Sequence, residues 1–304
     1  MKRMARKKIR FFCSWLRVFS RQALRDGCGC DNYLNSACTC DLEVLSQCSF
    51  ATSARRHLMP ARETEAIILK SFPLGEADRL VSFFGRTSGR MRGVAAGARR
   101  VKNRYGSTLE ILSHVQLWYV EKETRDLVRI QQCELLESFH KSQSDYGLST
   151  GLAVVSEIAE MVLPERETAE AMFRLILLTA REVERTGNWP VPLSYFAFWT
   201  VRLGGYLPRM DRCSNCGAIF GAQPAFHAKW EEGLLCDKCR RPGMKLLSAD
   251  ARSLAGRYAG EKLDKFIDAE PLTAQAKQLR EAALNWIENH TERKLNAREL
   301  LETP

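Results

Sequence analysis

Cys213, Cys216, Cys236 and Cys239 form two Cys-x-x-Cys pairs with nineteen residues between them. That spacing suits a structural zinc site, in which each pair brings two thiolates to one side of a tetrahedron. Gly217 follows the first pair, where a tight turn lets backbone amides face the sulfurs. Four thiolates complete the shell and leave no position for a reacting water, so one zinc bound here stabilises a fold rather than activating water. Two disulfides, or ordinary buried thiols, are the alternative reading of the same residues. His227 lies inside the same loop and carries a further ligand atom that a complete four-cysteine shell does not need.

A second concentration of chemistry is electrostatic. Between Asp78 and Glu110 there is no acidic residue, yet there are eight basic ones: Arg79, Arg86, Arg90, Arg92, Arg99, Arg100, Lys102 and Arg104. If Arg90 and Arg92 alternate along a strand they project from one face, and the loop 97–106 adds four charges and the ring of Tyr105. Clustered cations with a stacking ring suit a groove for single-stranded nucleic acid, where phosphate neutralisation supplies affinity and stacking adds about 1–3 kcal/mol per base. The expected nucleic-acid contacts are therefore Arg86, Arg90, Arg92, Arg99, Arg100, Lys102, Arg104 and Tyr105. A solvated basic face without a ligand is the competing reading, as is a Tyr105 that merely packs the loop.

Catalytic constellations are sparse. No glycine is followed by lysine, so a phosphate-binding P-loop is absent, and the five histidines form no HExxH pattern. His114 and His140 read as packing or surface residues. Trp118, Trp199 and Trp286 fall in periodic apolar segments and read as core.

The elements that must position these groups follow from periodicity. Runs at 64–72, 79–84, 90–96, 113–120 and 127–133 read as five short strands, punctuated by Pro73, Gly75, Gly85 and Gly89. Gly93 reads as a bulge or barrel kink. Five strands in about seventy residues suit a small closed barrel of the OB type, although spacing alone leaves an SH3-like barrel open. Beyond Ser144 the period becomes helical: 151–163, ended by Pro164; then a helix to about Arg185 capped by Thr168; then 195–203; and finally 272–301. The fold class expected is α+β and multidomain, a five-stranded OB barrel over 59–140 followed by a helical domain over 144–304 with a zinc module at about 210–243.

The net charge of +10 is unevenly spread, with 11 Lys and Arg against 4 Asp and Glu in residues 1–58. That segment also holds six of the eleven cysteines and no sustained period. It reads as an extension outside the folded protein, which begins near Met59. No stretch approaches the roughly 18 apolar residues needed to cross a bilayer. Zinc-type cysteine pairs point to a reducing, cytoplasmic setting.

The chain from about Thr64 to Leu301 resembles the bacterial RecO recombination mediators. The resemblance rests on Thr64-Glu-Ala-Ile-Ile-Leu69, Gly75-Glu-Ala-Asp-Arg-Leu80, Gly97-Ala-Arg-Arg100 leading to Leu109-Glu110, Leu203-Gly-Gly-Tyr-Leu-Pro208 before the first cysteine pair, and Lys294-Leu-Asn-Ala-Arg298. It implies an OB domain, a helical domain with a four-cysteine zinc module, and binding of single- and double-stranded DNA. It further implies annealing of complementary strands and help in loading RecA. The partners implied are RecR and the acidic tail of single-stranded DNA-binding protein, with a place among nucleoid-associated proteins of the cytoplasm. An apolar pocket rimmed by cations on the helical domain suits that tail, with Arg174, Arg181 and Arg202 as candidate rim residues. The 58-residue extension departs from the family pattern. The resemblance implies no enzyme activity. The rival readings are a zinc-stabilised nucleic-acid-processing enzyme, which needs clustered carboxylates or an open metal position, and an RNA-binding OB protein.

Overall fold

The computed structural model describes residues 61–121, 126–267 and 272–301. The reading of residues 1–58 lies outside the described residues. Five strands, β1 (Arg62–Leu74), β2 (Asp78–Gly85), β3 (Gly89–Ala95), β4 (His114–Val120) and β5 (Val128–Glu137), fall on the five runs read from the sequence. They close in the order β1-β2-β3-β5-β4, with β1 bonded to both β2 and β4. Every neighbouring pair is antiparallel except β3 and β5, which meet in parallel over Gly93–Ala95 and Val128–Ile130. This closed five-stranded order is that of an OB-type barrel.

The apolar run of β1 is continuous because both faces of the strand are covered. Ala66 and Ile68 pack inside the barrel with Val81, Phe83, Val115 and Tyr119. Ile67 and Leu69 point the other way and join the core of the helical part, together with Phe84. Each such fully buried aliphatic or aromatic side chain contributes about 1.5–3 kcal/mol. Register shifts lie in β1 between Ile68 and Lys70 and at two points of the β4–β5 pairing, not at Gly93. Gly93 serves packing instead: a Cβ there would sit 2.9 Å from both Val128 and Ile130, so the missing side chain lets β5 approach β3.

The helices are α1 (His140–Ser144), α2 (Tyr146–Val162), α3 (Glu170–Thr186), α4 (Pro190–Leu203), α5 (Ala249–Gly260), α6 (Asp264–Ile267) and α7 (Leu272–Thr291), with a short 3-10 turn at Glu299–Leu301. The Asp145 carboxylate caps α2 by accepting from the Leu148 amide at 2.9 Å. The expected cap at Thr168 is corrected: α3 starts two residues later, with Ala169 at its N-cap and no side-chain cap bond. The last helix is shorter than its apolar pattern suggested. It ends at Thr291, and Glu292 takes a left-handed φ of 53° that turns the chain back. Trp286 is core, whereas Trp118 and Trp199 are only partly buried. Among the described residues no helix is long and apolar enough to cross a membrane.

Barrel and helices are joined by polar contacts out of water. Glu160 of α2 accepts the Ser82 hydroxyl at 2.6 Å and pairs with Arg90 at 3.3 Å. Arg90 also donates Nε to the Leu163 carbonyl at 2.8 Å. Gly89 lies so close to the 164–169 connection that a Cβ would meet the Glu167 amide nitrogen at 2.4 Å. Its φ of 73° adds a second reason for glycine. The closing segment is held likewise. Glu157 of α2, buried, accepts from the backbone amides of Asn296 at 3.1 Å and Ala297 at 2.8 Å. The Lys294–Arg298 motif is thus a structural tie between α2 and α7.

Candidate metal centre and nucleic-acid interface

Between α4 and α5 the chain forms a compact loop module with a two-stranded sheet of β6 (Ala225–His227) and β7 (Lys245–Leu247). The Arg212–Ile219 bridge closes the turn that carries Cys213 and Cys216, and the amides of Cys239 and Arg240 donate to the Cys236 carbonyl at 3.0 and 2.9 Å to turn the second pair. Gly217 adopts φ 73° and its amide donates to the Cys213 carbonyl at 3.0 Å. The four sulfurs lie within 4.8 Å of one another, and Cys216 Sγ stands 3.7 Å from Cys236 Sγ. Thiolates about 2.3 Å from a tetrahedral centre lie about 3.8 Å apart, so the residues present suit a closed four-sulfur metal site.

Local electrostatics agree with a cation at the centre. Burial opposes ionisation of Cys213, but the amides of Cys216, Cys236 and Asn215 facing its sulfur outweigh it and bring its pKa to about 6. The Asn215 amide favours a Cys239 thiolate, yet the crowding sulfurs of Cys216, Cys236 and Cys213 push that thiol up to about 11. A metal ion converts that crowding into ligation. His227 is not a ligand: its ring is buried beside Trp286, and its Nδ1 lies 3.1 Å from Asn285 Nδ2. The module is anchored by Arg252 of α5, which donates to the carbonyls of Met210, Gly221 and Gln223 and stacks over Phe220 at 5.0 Å.

The basic interval divides into two sets. Arg86, Arg90 and, more loosely, Arg92 turn toward the helical part. Arg86 pairs with Glu170 at 2.5 Å and Glu65 at 2.9 Å, while Arg92 is half exposed with Glu160 at 3.8 Å. The expected DNA contact at Arg90 is corrected by its burial, because that guanidinium is consumed by Glu160, Glu165 and Leu163. Arg99, Arg100, Lys102 and Arg104 stay together in the loop after β3, exposed, and no carboxylate among the described residues forms an ion pair with them. The loop is shaped locally: Gly97 donates to the Asp78 carboxylate at 2.8 Å, and the Arg99 amide donates to the Ala77 carbonyl at 2.9 Å.

Tyr105 is corrected as a stacking ring. Asn103 Oδ1 accepts from the amides of Tyr105 and Gly106, a turn that sends the Tyr105 ring into the barrel. There its hydroxyl donates to the Ile130 carbonyl at 3.0 Å, and Arg104 lies over its outer face at 5.0 Å. The apolar group the loop presents to solvent is Val101, fully exposed.

Sequence reasoning also missed a network across the barrel–helix seam, because its members are far apart in the chain. His114 lies 2.7 Å from Glu65, and Glu137 takes Arg181 in a two-pronged pair at 2.8 and 2.9 Å. Partial burial alone would raise the Glu65 pKa, but bonds from Arg86 and His114 hold it below the ordinary carboxylate value.

Comparison with known proteins covers nearly all of the described region. Residues 59–139 match the family described as Recombination protein O N terminal, and residues 143–299 match Recombination protein O C terminal. The chain belongs to the RecO family of DNA repair proteins. The DNA repair protein RecO of Koribacter versatilis is 34% identical over 234 residues, covering 77% of this chain and 95% of the relative. That of Syntrophobacter fumaroxidans is 31% identical over 251 residues, covering 80% and 98%. Family membership gives the chain a role in DNA repair and recombination, carried on an OB-type barrel and a helical part with a four-cysteine cluster.

Proposed function

We propose that this protein is a recombination mediator that acts by binding: it holds single- and double-stranded DNA, anneals complementary strands and helps load RecA with the aid of RecR. The observation that carries the reading is the unneutralised loop of Arg99, Arg100, Lys102 and Arg104 on an OB-type barrel, in a chain of the RecO family. Such a loop contacts backbone phosphates, which position a strand without reading its sequence. Val101 supplies an apolar contact where Tyr105 does not.

A groove of about 730 Å³ lined mainly by the helical part supports a partner with an acidic, apolar-ended tail, as in single-stranded DNA-binding protein. Its lining includes Leu178, Trp199 and Leu203 with Arg174 and an Arg181 held by Glu137, and Glu65 and Arg86 of the barrel close its other side. Arg202 stacks over Trp199 at 5.1 Å. We read the ion of the four-cysteine site as zinc in a structural role. The setting is cytoplasmic, beside DNA, and residues 1–58, which precede the family match, are dispensable for annealing.

The test is annealing of complementary strands precoated with single-stranded DNA-binding protein, with and without RecR, using the full chain and a chain starting at Met59. Annealing by both, stimulated by RecR, is expected. Failure of the full chain to anneal naked strands sinks the reading, and failure of the shorter chain alone reassigns residues 1–58.

A further inference from the structure

A cavity of about 330 Å³ opens between α7 and the closing turn, lined by Lys277, Arg280, Glu281, Leu284, Arg298 and Leu301. Its inner cation is unusual. Arg280 is 7% exposed, yet among the described residues its guanidinium makes a single hydrogen bond, to the Pro190 carbonyl at 3.5 Å. The guanidinium carbon lies over the Trp189 ring, 4.8 Å from its centre. The remaining N–H donors of Arg280 find no hydrogen-bond acceptor among the described residues but keep solvent contact at the cavity, where an anion's oxygens can meet them.

The surroundings favour an anion. Arg298 adds a second guanidinium, tied to Asn285 at 2.8 Å and Glu288 at 3.0 Å. Lys277 stands exposed at the mouth and makes no hydrogen bond or ion pair among the described residues. The one carboxylate among the described lining residues, Glu281, bonds Lys245 at 2.9 Å and is further stabilised by the nearby charges of Lys277 and Arg280. Two cations without an ion-pair partner among the described residues, Arg280 and Lys277, therefore face the cavity, beside an Arg298 already held by Glu288. No described barrel residue lines it, so the site does not depend on the reading of the loop after β3.

We infer that this cavity is a phosphate-binding site, in which Arg280 and Lys277 hold the oxygens of a phosphate group carried by a nucleic-acid strand or free in solution. A tetrahedral phosphate offers oxygens to the recessed guanidinium fork and to the ammonium at the mouth at once, whereas a carboxylate fills one fork only. A strand held here through its phosphates gives an annealing protein a grip separate from the barrel loop.

The experiment uses the full chain and the variants Lys277→Ala and Arg280→Gln, with melting in sodium phosphate, sodium acetate or sodium chloride at matched ionic strength. Phosphate at ten times its dissociation constant should raise the Tm of the wild type by about 3 °C, and both variants should lose that shift. Arg280→Gln disturbs packing on Trp189, so Lys277→Ala, at an exposed position, decides if the former fails to fold. In parallel, binding of a labelled single-stranded oligonucleotide is followed against salt. A slope of log affinity shallower by about 0.7 in Lys277→Ala assigns the phosphate to a strand, and an unchanged slope with a lost phosphate shift assigns it to a free phosphate group. The inference is overturned if acetate stabilises as well as phosphate does, or if Lys277→Ala keeps both the phosphate shift and the wild-type salt slope.

Discussion

Arg90 on the barrel and Glu160 on α2 form an ion pair at 3.3 Å with both side chains almost wholly withdrawn from water. The pair sits among further acceptors and donors, Leu163 and Ser82, which satisfy what the two charges leave open. Removing one partner strands the other. Arg90→Ala should cost about 3–5 kcal/mol of stability, seen as a lowered urea midpoint, while the salt slope of DNA binding stays at the wild-type value. A changed slope with unchanged stability would return Arg90 to the DNA surface.

The loop cations predict the opposite pattern. Arg99→Ala with Arg100→Ala should leave the melting temperature nearly unchanged, because both side chains are exposed. The double variant should bind all sequences more weakly and flatten the salt slope on single strands by about 0.7 for each phosphate it no longer neutralises. Wild-type affinity in the double variant would place the principal DNA surface elsewhere.

Metal content gives a third check. Protein purified without chelator should carry about one equivalent of zinc, and Cys236→Ser should release it and destabilise the helical part more than the barrel. Far-UV and near-UV melting of the variant distinguishes the two regions. Metal-free protein that melts like the loaded form would defeat a structural role.

His227 predicts an acid sensitivity with a definite sign. Its burial pushes the ring pKa down to about 4, from an ordinary value near 6.5. The Asn285 oxygen is taken by Arg298, so Asn285 Nδ2 donates to His227 Nδ1, and a protonated ring has no acceptor to offer it. The unfolded chain then binds the extra proton first. Stability is full above about pH 6.5 and falls as pH drops toward 4, by roughly 3 kcal/mol. His227→Asn should lose that part of the acid slope. Acid release of zinc affects both chains alike, so their difference in urea midpoint at pH 5 and pH 7 isolates the histidine, and equal slopes would refute the assignment.

The strands were legible because their alternation and their Gly and Pro punctuation are local properties, and so was the four-cysteine site, whose spacing carries its own geometry. Alternation also put Arg90 and Arg92 on one face of β3. It carried no information on what covers that face, and the answer, Glu160 and Glu165, lies seventy or more residues further along. Tyr105 failed for a subtler reason. A ring in a basic loop reads as a stacking surface until the Asn103 turn that reverses it is seen. The His227–Asn285–Arg298 chain had no local signature at all, since its partners meet across 58 residues.

The tie between Glu157 and the closing segment bears on how the molecule is made. Its donors, the amides of Asn296 and Ala297, lie 139 and 140 residues downstream of the carboxylate they satisfy. A nascent chain emerging from the ribosome can close its barrel and form α2 early, as N-terminal units do. Glu157 must meanwhile stay hydrated, which keeps that face of α2 from sealing. The helical part is therefore under a timer set by translation, and a ribosome stalled before Asn296 leaves a chain whose barrel is finished and whose second half is still open to chaperones and proteases.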